Sequence, residues 1–176
     1  LKLQGQVAEA IASEIKIKLA PQEHAALQRT RRVNQRAFES YVEGSYFGSK
    51  TSQESLDKSV ALLRNAIELE PGYAQAYAGL SHTLYVLGLL GMRPAGDAYP
   101  AAKSAALQAL ALDNQIAEAH NTLAEVERGY RFNWVAAEVE FKRALELNPS
   151  YALAHSGYAG VLSNMGRHRD AIAEAM

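Results

Sequence analysis

The sequence predicts an all-α fold, a right-handed solenoid of antiparallel helix pairs led by an amphipathic helix. Three observations carry the prediction. The phrase Arg64-Asn65-Ala66-Ile67-Glu68-Leu69-Glu70-Pro71 returns as Gln108-Ala109-Leu110-Ala111-Leu112-Asp113-Asn114 and as Arg143-Ala144-Leu145-Glu146-Leu147-Asn148-Pro149. Ala66, Ala109 and Ala144 are 43 and 35 positions apart; the second spacing is close to a helix-pair period of about 34 residues, and the first is longer by an insertion. Small residues, an aromatic and a helix stop also fall at fixed positions within a copy (Ala137, Phe141, Ala144, Pro149), as close helix packing demands. Finally, Leu3, Val7, Ile11, Ile15 and Leu19 follow strict i, i+4 spacing and give one helix a continuous apolar stripe.

Residues 1–33 form the leading segment. Glu9, Glu14, Lys16 and Lys18 occupy the faces of the first helix away from its stripe. Pro21 begins a short second helix through about Gln28, and Arg29-Thr30-Arg31-Arg32 is a basic connector. Repeat 1 covers 34–72. Its first helix runs from Asn34 to Phe47, with Phe38 and Tyr41 in packing positions. Ser52 is the expected N-cap of its second helix, whose core stripe is Leu56, Val60, Leu63 and Ile67.

Repeat 2 covers 73–115. The stretch Gly88 to Asp97 accounts for its extra length as an extended first helix and a longer turn, with the second helix from Tyr99 to Leu112. Repeat 3 covers 116–150 and is ended by Pro149, which lacks an N–H and restricts its neighbour. Repeat 4 covers 151–176, with Gly166 left-handed after its first helix and Ala171 opening a shortened second one. Both chain ends fall inside helical patterns, so the sequence reads as a piece of a longer protein.

Composition narrows the function classes. The 176 residues suffice for one domain, and 48% hydrophobic with 21% charged residues describes a folded chain. A net charge of −1 gives no field favouring nucleic acid or an anionic membrane. The absence of cysteine excludes disulfides, thiolate zinc sites and cysteine nucleophiles. No apolar run approaches the roughly 18 residues of a membrane span, and no secretory signal is visible. The cytoplasm is the expected compartment, the periplasm the alternative.

The phrases quoted above, with Ala117-Glu118-Ala119-His120-Asn121-Thr122-Leu123-Ala124 opening repeat 3, resemble tetratricopeptide (TPR) repeats. The stretches Val7 to Ile15, Lys18 to Glu23 and Val33 to Phe38 are similar to the segment that joins a TolB-like or cyclase-associated region to carboxy-terminal repeats in bacterial regulators. The resemblance implies the repeat region of a multidomain regulator. Its output domain would be a winged-helix DNA-binding domain, a cyclase or a kinase. Ala20 stands where threonine is common in that segment, and Asn114 replaces the terminal proline of a repeat. Some TPR domains hold a peptide carboxylate with lysine and asparagine; the matching positions here are Glu39, Ala78 and Asn121, which do not reproduce that clamp.

Catalytic constellations are missing from the sequence: no H-E-x-x-H, no phosphate-binding glycine loop and no nucleophile elbow. His120 and His155 share one repeat position and read as helix-packing residues rather than metal ligands. The expectation is therefore a non-catalytic scaffold with no cofactor and no metal, binding a peptide or helix of a protein partner through its concave face. Register places Arg36, Glu39, Glu43 and Tyr46 on that face in repeat 1, and Gln75, Ala78, His82 and Tyr85 in repeat 2. Glu118, Asn121, Glu125 and Arg128 follow in repeat 3, then Ser156, Gly160 and Ser163. The alternative is a regulatory self-association domain, a homodimer through the solenoid ends or through the Leu3, Val7, Ile11, Ile15 and Leu19 stripe, which otherwise serves as a cap.

Overall fold

The computed structural model describes residues 33–175. The apolar stripe from Leu3 to Leu19 and the Arg29 to Arg32 connector lie outside the described residues. Among the described residues there are eight helices and no strand. They are α1 (Gln35–Gly48), α2 (Gln53–Leu69), α3 (Ala74–Leu89), α4 (Ala95–Leu112), α5 (Ala117–Gly129), α6 (Trp134–Leu147), α7 (Ala152–Asn164) and α8 (His168–Glu174). Each odd-numbered helix packs on the even-numbered helix that follows, and consecutive odd-numbered helices also touch. The result is a row of first helices (α1, α3, α5, α7) backed by their partners.

Local chemistry sets the helix ends. The Ser52 hydroxyl accepts the Ser55 backbone N–H at 3.2 Å and caps α2. The Asn133 side chain does the same for α6 through the Ala136 N–H. Gly166 takes φ +78 after α7, a left-handed conformation that glycine adopts without a Cβ clash. Leu56, Val60 and Leu63 are buried on α2, and Ile67 packs beside them. Phe141 on α6 is fully buried among Ala124, Ala137, Ala154, Tyr158 and Val161.

Two helix starts differ from the sequence expectation. Helix α4 begins at Ala95, not Tyr99, with Pro94 before its first residue and Pro100 inside it. Pro94, Gly96 and Pro100 read as turn signals, yet a proline near the start of a helix costs one backbone bond. Here that bond would have gone to the carbonyl of the exposed Gly96. Helix α8 begins at His168 rather than Ala171. The extra length of repeat 2 lies mainly in its helices, α3 with 16 residues and α4 with 18, against 13 for α5 and 14 for α6.

A polar clasp joins the last elements. Glu138 on α6 accepts from Lys142 Nζ at 2.8 Å, Arg167 Nη1 at 2.8 Å and the Tyr158 hydroxyl at 3.0 Å. The Lys142 hydrogen bond first, then Arg167 and Tyr158, hold the Glu138 carboxyl down to about 2 from the ordinary 4.5. A depressed carboxylate stabilises the fold above its unfolded pKa and stops doing so as pH falls through its folded one. Stability should therefore drop as pH falls from 4.5 toward 2, and Glu138→Gln should flatten that limb in thermal melts. An unchanged acid slope would show that the clasp contributes nothing.

Candidate functional site

The row of first helices forms a groove that holds a pocket of about 290 Å³. Helix α1 contributes Tyr41, Ser45 and Gly48, with Ser49 just after it, and α3 contributes Gln75, Ala78, Gly79, His82 and Thr83. Glu118 on α5 and Leu153 on α7 complete it, with Ile116 and Tyr151 from the turns just before those helices. Tyr41 is fixed from behind by Tyr73, ring centroids 5.0 Å apart. Gly79 lets α3 approach α2: a Cβ there would lie 3.1 Å from Leu63 Cδ2.

Four of the positions that register assigns to the concave face meet in this pocket: Gln75, Ala78, His82 and Glu118. Arg36, Glu39 and Glu43 are exposed on α1. Glu39 accepts from Gln35 at 2.9 Å, whereas Glu43 pairs with Lys58 on α2 at 3.1 Å. Tyr46 is 59% exposed at the α1–α2 turn, 4.6 Å below the Lys50 ammonium. Ser156 and Ser163 are exposed on α7, and Gly160 faces Arg128.

Register also assigns Tyr85, Asn121 and Glu125 to the groove, but they are buried, at 9%, 3% and 8% exposure. The physical reason is that α3 and α5 are interior helices covered on more than one side, and residues 121–127 are buried without a break. The Tyr85 hydroxyl donates to Glu125 Oε2 at 2.8 Å, and Arg128 Nη2 donates to the same oxygen at 2.6 Å. Burial, then the Glu125 charge, raises the Tyr85 pKa far above its ordinary value. Asn121 Oδ1 and Arg128 Nε are buried without a hydrogen-bond partner among the described residues.

The network stands close behind the pocket wall. Burial lowers the His82 pKa below 6.5, against the opposing pull of Glu125, so the imidazole is neutral at neutral pH. Burial, then Glu118 and Glu125, pushes the Tyr151 hydroxyl up to about 12. First-helix register does not reach Tyr151 and Ile116, although the sequence holds a signal for them. Tyr73, Ile116 and Tyr151 occupy one repeat position, the apolar residue directly before each first helix.

His120 and His155 tie adjacent segments together. His120 Nδ1 meets Glu140 Oε2 at 2.7 Å and its Nε2 meets the Asn114 carbonyl at 3.3 Å. His155 Nδ1 meets Glu174 Oε1 at 2.5 Å and its Nε2 meets the Pro149 carbonyl at 2.8 Å. The Pro149 carbonyl, then Glu174, raises the His155 pKa. Among the described residues no three His, Cys, Asp or Glu side chains gather as metal ligands, and no helix is long and apolar enough to cross a membrane.

No protein-family model matches the chain, and no curated protein matches it. Solved structures do. A thermophilic TPR protein from Thermus thermophilus is similar at TM-score 0.59 and 21% identity, over 68% of this chain and 61% of that one, so the match spans less than two thirds of that protein. MamA is similar at TM-score 0.60 and 16% identity, over 88% of this chain and 81% of MamA. The first TPR domain of Spaghetti (RPAP3), bound to the HSP90 peptide SRMEEVD, is similar at TM-score 0.61 and 15% identity, over 77% of this chain and 98% of that domain. The fold is therefore the TPR solenoid.

Proposed function

We propose that this chain is a non-catalytic scaffold that binds an extended peptide segment of a protein partner in the groove between Tyr41 and Tyr151. The observation that carries the reading is the pocket itself. It draws on all four repeats, so its walls exist only when the array is stacked. Its lining mixes aromatic and aliphatic surface with hydroxyl, amide and imidazole groups, the composition that fixes a side chain and its backbone together. The peptide bound to the Spaghetti domain supports peptide binding by this fold. That peptide is acidic, and the described lining residues here offer it no lysine or arginine.

The larger setting belongs to the same proposal. The resemblance of residues 7–38 to a regulator linker makes this groove a recognition module within a bacterial signalling or transcription regulator. The direct test is a peptide library screened on the folded chain, followed by the double variant Gln75→Ala with Leu153→Ser. Both residues are exposed on the pocket rim, so the melting curve should not move. Affinity for retained peptides should fall about tenfold, near 1.4 kcal/mol. Unchanged affinity would place the binding site elsewhere.

A further inference from the structure

The charges around the pocket define the sign of its ligand. Glu118 carries the one carboxylate among the described lining residues, and His82 is kept neutral by burial. The Glu118 side chain is exposed and makes no ion pair among the described residues. Glu125 stands behind the wall with its charge balanced by Arg128, so Glu118 is the carboxylate, unpaired among the described residues, that faces a ligand. Arg128 and Tyr85 share one Glu125 oxygen, while the other faces Gly157 on α7. Glu118 and Tyr151 line the same pocket, so the carboxylate and the aromatic wall face one ligand.

The pocket volume of about 290 Å³ lies just below the roughly 300–1,000 Å³ typical of whole small-molecule sites, so it suits one or two side chains. Aromatic walls attract a cation over the ring face. Aliphatic walls at Ile116 and Leu153 suit the methylene stem of a long basic side chain whose head reaches a carboxylate. A carboxylate ligand would meet the opposite: repulsion from Glu118 and no lysine or arginine among the described lining residues.

We propose that this is a specificity pocket for a basic side chain, arginine or lysine, of the bound segment, with Glu118 as its ion-pair partner. The inference rests on the groove reading and adds the ligand's charge.

The test is a random nonapeptide display library selected on the full chain, in three forms: native, Glu118→Gln and Glu118→Lys. The native protein should enrich arginine or lysine at one peptide position. The strongest such peptide should bind about fivefold more weakly to Glu118→Gln, the scale of one partly exposed ion pair. It should also weaken as salt is raised. Glu118→Lys should enrich aspartate or glutamate at that same position. Enriched peptides without a basic residue, or equal affinity for Glu118→Gln, would overturn the proposal. If such peptides are still lost in the Gln75→Ala, Leu153→Ser variant, the groove reading survives and only the charge assignment falls. A library from which nothing is retained would overturn both.

Discussion

Glu125→Ala is expected to destabilise the fold by about 3 kcal/mol, the scale of breaking a buried ion pair from one side. Glu125 is 8% exposed and gives a single oxygen to both Tyr85 and Arg128. Alanine would leave the buried Tyr85 hydroxyl and the partly buried Arg128 guanidinium without their shared partner, and Arg128 Nε already lacks one among the described residues. The damage comes from the abandoned groups more than from the lost bonds. A double variant, Glu125→Leu with Arg128→Met, removes both charges and should recover most of the loss. Urea unfolding of the three proteins checks this. A loss below about 1 kcal/mol for Glu125→Ala would mean that solvent reaches Arg128 and replaces its partner.

Phe141→Ala should cost about 3–5 kcal/mol, because the ring is fully buried and its removal leaves a cavity between α5, α6 and α7. Repeat arrays are stabilised by nearest-neighbour contacts, so the defect should loosen repeats 3 and 4 ahead of repeats 1 and 2. The chain has one tryptophan, Trp134 at the start of α6, which reports that half alone. Its fluorescence should then change at lower temperature than the helical circular dichroism signal. Coincident transitions would show that the whole array melts as one unit. A coupled test uses Gly157, where a Cβ would come within 2.6 Å of Phe141 Cε1. Gly157→Ala should be less harmful in the Phe141→Ala background than alone, since of the two groups it strikes only Glu125 remains.

The legible parts of this fold are those set by neighbours in the chain. Helix stops at Pro71, Pro149 and Gly166, the Ser52 cap and the Leu56, Val60, Leu63 stripe depend on local backbone chemistry and helical periodicity. First-helix register also assigns Gln75, Ala78, His82 and Glu118 to the groove, where they meet. The same register misplaces Tyr85, Asn121 and Glu125, because it treats every first helix as having one covered and one open face. Helices α3 and α5 are flanked by first helices on both sides, and that second covered face has no periodic signature in their own sequence.

Sequence by itself determined that helices pair, roughly where most of them begin and end, and that they repeat. Tertiary structure decided which polar groups are buried and which share a pocket. Tyr41, His82, Glu118 and Tyr151 come from four different repeats, and only the stagger between stacked helices brings them to one place. Periodicity along a chain fixes the face of a helix, whereas the distance between faces on separate helices is set by how the side chains between them pack.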